Sequence, residues 1–331
     1  MLASRDIDAN RIFSFKNSLA LFIETEQPIR QTLRMDCYER VSVIGKGPLG
    51  LTYKMRNKGT NELVACRIID RVDEPSGQVR TILEETIVFA PLAHPNIAGC
   101  LSLHHDRAKD MFYFVQEYFP CTLHDLLIKH QHSGTYFSED AIWEVLTQML
   151  LALTFLHSSE GKSVKNCNYE PLIVHRLIHS NLKPSNVMIT PDGRIKLVDN
   201  RIRQPIRAYL ERCGDMSLHY YTAPELYDSE DKWTEAIDVW SVGCIAYHMA
   251  ALKPPFQAAM LDQVLAQQRA GTCASIPSHY SCDLQKLISS MLTVDCASRP
   301  SISSLSSHPH IHLTMDRLSS SSRTSLAVLL T

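Results

Sequence analysis

The segment Ile44-Gly45-Lys46-Gly47-Pro48-Leu49-Gly50 places three glycines at G-x-G-x-x-G spacing between two predicted strands. Glycines at that spacing let backbone amides approach phosphate groups, although the pattern alone is a weak signal. Pro48 removes one N–H from the tip of the loop. A strand pattern then presents a fixed cation in Val64-Ala65-Cys66-Arg67. Arginine keeps the charge of a lysine but is planar, bulkier and reaches differently, so the two are not interchangeable at a packed phosphate site. Much further along, His179-Ser180-Asn181-Leu182-Lys183-Pro184-Ser185-Asn186 gathers two amides and a lysine, and Leu197-Val198-Asp199-Asn200 follows it. Asn181 cannot accept a proton as a carboxylate does, because its amide is uncharged and far too weakly basic at neutral pH.

Two kinds of element must position these residues. From Tyr38 to about Arg80 the chain reads as short strands, Val41 to Ile44, Leu51 to Met55 and Leu63 to Ile69, with Gly and Asn turns between them. Val79 to Leu92 reads as a helix and Met111 to Tyr118 as a further strand. After Thr122 apolar periodicity predicts helices over Leu123 to Ile128, Ala141 to His157, Ala236 to Leu252, Met260 to Arg269 and Asp283 to Leu292. A small β-rich lobe is expected to precede a large α-helical one. Residues 1–34 read as an extension, a short amphipathic helix or a disordered lead, and Met35 opens the domain. The polar stretch 158–170 reads as a surface insertion, and 313–331, with Ser319 to Ser322, as a flexible Ser-rich tail.

In order along residues 38–312, these motifs resemble those of protein kinases. His179 to Asn186 is similar to the catalytic loop H-R-D-x-K-x-x-N, and Asp199 begins the counterpart of D-F-G. Tyr221-Thr222-Ala223-Pro224-Glu225 is similar to A-P-E, Asp238 to Gly243 to D-x-W-S-x-G, and Ser298-Arg299-Pro300 carries the arginine that pairs with the A-P-E glutamate. Ala251 to Phe256, Ile276 to Ser281 and Leu284 to Ile302 resemble the NIMA-related (NEK) Ser/Thr kinases. The resemblance implies an α+β, two-lobed protein kinase fold, with an N-lobe over about 35–118 and a C-lobe over about 119–312.

It also assigns roles. Asn181 falls at the position of the general base and Arg67 at that of the phosphate-binding lysine. Lys183 is the catalytic-loop lysine, and Glu85, nine residues before His94, is the helix partner of Arg67. Gly45, Gly47, Gly50, Thr52, Ala65, Arg67, Gln116 as gatekeeper, Glu117 and Met188 would line an ATP site. Asn186 and Asp199 would hold Mg²⁺ if Mg-ATP binds. Taking His175-Arg176 as the H-R pair instead makes Leu177 the base and puts Lys183 and Asn186 out of register, so neither alignment supplies the Asp. Gly214 to Pro224 is longer than the family pattern. The expectation is a pseudokinase that binds protein partners; the alternative is a weak or unorthodox Ser/Thr kinase in which Lys46 or Lys183 covers the phosphates.

Composition bounds the partners. The chain has 331 residues, is 45% hydrophobic and carries a net charge of -2, so no overall basic field draws nucleic acid or anionic lipid. No run approaches the roughly 18 apolar residues of a membrane span. Ten cysteines without a C-x-x-C pair indicate reduced thiols and a cytoplasmic setting. His308, His310 and His312 alternate but lack a nearby Cys or acidic partner in sequence, which disfavours a metal site. Arg201, Arg203, Arg207 and Arg212 make a basic loop, read as a solvated surface, with an acidic partner or phosphopeptide as the alternative. The family resemblance implies cytoskeletal or cell-division proteins as partners.

Overall fold

The computed structural model describes residues 5–8, 35–47, 50–70, 92–106, 108–160, 162–165, 171–198, 216–228, 233–320 and 324–330. The chain forms two compact units, 1–119 with 158–177, and 120–157 with 178–331.

The first unit begins with β1 (Arg5–Asp8). After a 3-10 turn at Met35–Cys37 come β2 (Tyr38–Gly47), β3 (Gly50–Asn57) and β4 (Leu63–Asp70), then β5 (Cys100–Asp106) and β6 (Met111–Glu117). These five strands, β2 to β6, make an antiparallel sheet in the order β2-β3-β4-β6-β5. Side chains alternate across a pleated strand, so every second residue enters one face. Tyr38, Met55, Val64, Cys66, Ile68, Tyr113 and Val115 form the buried cluster on one side. Residues 79 to 91 of the expected helix, Glu85 among them, lie outside the described residues.

The second unit starts at β7 (Cys121–Thr122) and α1 (Leu123–Ser133). Thr122 and Asp125 form a reciprocal capping box at its start, and Gly134 ends it at φ 65°. Next comes α2 (Glu139–His157), whose apolar side chains make it the buried axis of this unit. In the first unit, β8 (Lys162–Lys165) and β9 (Pro171–His175) form a hairpin. The second unit resumes with the antiparallel pair β10 (Val187–Ile189) and β11 (Ile195–Leu197), and β10 also pairs with β7. Then follow α3 (Ala236–Ala251), α4 (Leu261–Ala270), α5 (Cys282–Met291), α6 (Ile302–Ser306), α7 (Pro309–Ser320) and α8 (Ser325–Leu329). Helix α2 packs against α3, α6, α7 and α8. Helices α3 and α5 approach closely at Gly243, where a Cβ would stand 2.8 Å from that of Met291.

Three sequence expectations change. Part of the N-terminal extension is a strand: β1 pairs in parallel with β9, whose open edge is a partner that local reading cannot see. The polar insertion contains β8, the hairpin partner of β9. The described parts of the Ser-rich tail, up to Ser320 and from Thr324 to Leu330, are largely helical and docked. Ser319 and Ser320 donate to the carbonyls of Met315 and Asp316 within α7, while Leu318, Leu326 and Ala327 are buried. Among the described residues, no helix is long and apolar enough to cross a membrane.

Candidate active site

The residues singled out fall into two groups, one in each unit. In the first, strand register does the positioning. Thr52 pairs with Arg67, and Arg67 with Phe114; Lys54 pairs with Ala65, and Ala65 with Gln116. Directly paired residues share a face, as do residues two apart, so Thr52, Ala65, Arg67 and Gln116 lie together on the face opposite the Cys66 core. Gly45, paired with Thr52, joins them. Among the described residues, a Cβ at Gly45 would meet nothing closer than Thr52 at 3.6 Å, so they leave room for a close ligand there.

Gly50 differs. Its φ is 125°, and a Cβ there would come within 2.0 Å of the Ile68 carbonyl oxygen. Packing against β4 therefore requires this glycine whether or not a phosphate binds. Gly47 pairs with Gly50 to close the hairpin. Glu117 leaves the shared face: it pairs with Val64, and its carboxylate accepts the Gly99 N–H at 3.3 Å. Glu85, the expected partner of Arg67, lies outside the described residues.

In the second unit a buried carboxylate organises the catalytic-loop segment. Asp238, on α3, accepts from His157 Nε2 and from the backbone N–H groups of His179 and Ser180, each at 2.8 Å. Burial alone would raise its pKa. The hydrogen bond from His157 and the positive charge of His157 and His179 outweigh that and hold the carboxyl below its ordinary value. Ser180 sits at φ 57°, a strained conformation for a residue with a Cβ. The loop continues through Lys183, whose carbonyl accepts the Asn186 N–H at 2.8 Å across a 3-10 turn started by Pro184. Asn186 Nδ2 donates to the Asn181 carbonyl at 2.8 Å, and the Asn186 carbonyl accepts from Val198 N–H.

Asn181 thus stands on a loop tied at both ends. Asn186 spends its Nδ2 on the loop and keeps Oδ1 as the atom able to ligate a hard cation, which takes oxygen donors. That donor fits Mg²⁺; Asp199, the other ligand expected from the resemblance, lies outside the described residues. Met188 sits on β10 opposite Lys196 and Thr122, on the face away from the buried Val187 and Ile189. Arg201, Arg203, Arg207 and Arg212 are outside the described residues.

The A-P-E motif is held as its sequence implied. Arg299 donates to both carboxylate oxygens of Glu225 at 2.7 and 3.2 Å, and also to the carbonyls of Ala236, Thr293 and Val294. Its guanidinium lies over the Trp240 ring at 5.0 Å. Sequence reasoning missed His157, the third donor to Asp238. Its one sequence signal is a polar residue closing an otherwise apolar helix. His308 and His310 stack on Trp143, with centroids at 5.4 and 4.8 Å.

Residues 38–311 match the protein kinase domain family. The chain is 31% identical over 274 residues to a probable serine/threonine-protein kinase nek2 of Dictyostelium discoideum, covering 82% of this chain and 62% of that one. It is 28% identical over 296 residues to the G2-specific protein kinase nimA of Emericella nidulans, covering 84% and 41%. With human Nek2 it shares 28% over 284 residues, covering 84% and 60%. The chain thus spans less than two thirds of the length of these relatives. The catalytic-loop anchors, the Glu225–Arg299 pair and the match over residues 38–311 agree: the chain belongs to the protein kinase domain family, with NEK and NimA Ser/Thr kinases as its relatives.

Proposed function

We propose that this chain is a catalytically impaired, NEK-like pseudokinase that serves as a protein-binding scaffold or regulator. One observation carries the reading: Asn181, which the family resemblance aligns with the general base, is an amide, on a loop anchored to Asp238. Loss of a general base costs about 10²–10⁴-fold in rate, or roughly 3–5.5 kcal/mol of barrier. Arg67 in place of lysine adds a second defect at the phosphates, though effects within one constellation do not sum.

In this reading Mg-ATP still binds. Within the first unit, Gly45 and the shared face of Thr52, Ala65, Arg67 and Gln116 support it; within the second, Asn186 Oδ1 is an oxygen donor of the kind Mg²⁺ takes. Bound ATP with Mg²⁺ supplies a transferable phosphoryl group, and the residues present are suited to hold it better than to move a proton from an acceptor hydroxyl. One relative is named a G2-specific protein kinase; in this reading the partners are cell-division or cytoskeletal proteins.

The test is thermal unfolding with ATP and Mg²⁺ or EDTA, with Asp199→Ala as control, alongside phosphoryl transfer to a generic protein substrate. Binding at about 100 times Kd adds roughly 2.7 kcal/mol. A metal-dependent shift, lost in Asp199→Ala, with negligible transfer is the expected outcome. Robust transfer abolished by Asp199→Ala overturns the pseudokinase reading. The absence of any shift overturns nucleotide binding.

A further inference from the structure

In the last described segment, Thr324 to Leu330, the first two residues carry hydrogen bonds that hold it to the second unit. The N–H and Oγ of Ser325 donate to Oε2 and Oε1 of Glu144, on α2, at 2.7 and 3.0 Å. Glu144 is only 7% exposed. Thr324 Oγ1 donates to the Gly193 carbonyl at 2.7 Å, and its N–H to that of Asp192 at 3.3 Å. Gly193 has φ 80°, and a Cβ there would stand 2.1 Å from Thr324 Oγ1 and 2.4 Å from Ala327 N. Leu326 and Ala327 are buried, and Lys129 Nζ holds the Leu329 carbonyl at 2.8 Å. Between this segment and the start of α1 lies an open cleft of about 520 Å³, lined by Pro120, Cys121, Leu126, Pro191, Ala327 and Leu330.

Helix α8 has five residues, too few to persist in water unless something docks it. Its docking therefore depends on the Glu144 clamp, the Thr324 hydrogen bonds to Asp192 and Gly193, the buried Leu326 and Ala327, and Lys129. The clamp works because Ser325 offers two donors to a carboxylate that can only accept. A phosphoryl group on Oγ removes one donor and places about -1.5 to -2 charges beside a buried anion. The sequence Arg323-Thr324-Ser325, after the serines at 319 to 322, sets a cation two residues before this hydroxyl.

We propose that Ser325 is a phosphorylation site, and that its modification releases α8 and enlarges the cleft beneath it. A separate Ser/Thr kinase, with ATP as phosphoryl donor, carries out the step. Ser325 Oγ attacks the γ-phosphorus, the bond to the β,γ-bridging oxygen breaks, ADP departs, and the hydroxyl proton passes to that kinase's general base. The modifying enzyme takes the segment while it is transiently undocked. The phosphate then opposes its return to Glu144.

The full chain carrying Ser325→Glu, Ser325→Ala, or Ser325→Glu with Glu144→Gln is compared with wild type by hydrogen exchange at the Ala327 and Leu330 amides and by tryptic cleavage after Arg323. Ser325→Glu is expected to speed exchange and cleavage at least tenfold. Ser325→Ala has a smaller effect, since the backbone N–H still meets Glu144. Adding Glu144→Gln restores slow exchange, because the new amide offers a donor where the carboxylate repelled. In parallel, wild-type chain incubated with ATP and a Ser/Thr kinase that prefers basic sequences takes phosphate at Ser325, located by mass spectrometry, and shows the same acceleration. Wild-type exchange in Ser325→Glu overturns the proposal. So does a failure of Glu144→Gln to restore protection, which would trace the effect to packing damage, or an unmodified Ser325.

Discussion

The carboxylate of Asp238 holds the backbone N–H of Ser180 at 2.8 Å while Ser180 stands at φ 57°. Strain of this kind persists only where the surroundings overdetermine it. Here His157 and His179 add two further donors to the same carboxylate. Asp238→Asn turns one of those acceptors into a donor facing a donor, so the loop loses its anchor. The expected cost is about 3–5 kcal/mol, the range for breaking a buried charged network. Urea unfolding checks this through a lower midpoint at an unchanged slope.

If the missing carboxylate limits phosphoryl transfer, restoring it should be felt without any change in stability. Asn181→Asp is expected to raise transfer by about 10²–10⁴-fold over whatever residual rate exists. Arg67→Lys in the same chain should add to the gain, because the register fixes that position beside Thr52 and Phe114. Steady-state transfer of γ-phosphate, with melting temperature as a control, measures both. An unchanged rate in the double variant would mean that more than these two groups has been lost.

The Glu225–Arg299 pair is buried and bidentate, and Arg299 also satisfies three backbone carbonyls. Arg299→Met removes the charge from its partner and orphans those carbonyls. A loss of about 3–5 kcal/mol is expected. The double variant with Glu225→Gln should cost less than the two single losses added together, because the buried carboxylate is no longer stranded. Chemical denaturation of the three variants forms the cycle.

How far these relationships were legible in sequence depends on what positions each residue. Gly45, Thr52, Ala65, Arg67 and Gln116 were singled out through the family resemblance, and the strand register places them on one face of the sheet. Glu225 and Arg299 were legible as motif partners although 74 residues separate them. Gly50 was read as a phosphate glycine, and the contact that requires it comes from Ile68 on the neighbouring strand. His157 and the docking of Ser325 on Glu144 were invisible for a similar reason. Both depend on side chains that only tertiary packing brings within hydrogen-bond reach.

Acid should weaken the second unit through His248. Burial, and secondarily the nearby charge of His124, press its pKa down from 6.5 to about 4. Tyr221 Oη lies 2.6 Å from Nδ1 and Gln131 Nε2 3.4 Å from Nε2. Because the folded pKa lies below the unfolded one, the unfolded chain takes the proton first as pH falls. Stability is expected to drop between about pH 6.5 and 4, by up to roughly 1.4 kcal/mol per unit. His248→Gln should lower stability at neutral pH and flatten that slope, which unfolding midpoints at several pH values would reveal.

Gly193 offers the cleanest way to separate docking of the C-terminal helix from the chemistry of Ser325. Alanine there meets the φ of 80° and the overlap with Thr324 and Ala327 together. Neither the turn between β10 and β11 nor the backbone of α8 is a flexible side-chain end that can give way. Gly193→Ala should therefore cost about 1–3 kcal/mol. It should also speed tryptic cleavage after Arg323, while the melting of the β2 to β6 sheet stays unchanged. Hydrogen exchange resolved by segment distinguishes these regions. Protection lost in Thr324 to Leu330 but retained in β3, β4 and β6 is the expected pattern, whereas uniform loss would mean that the turn strain propagates beyond the docked helix.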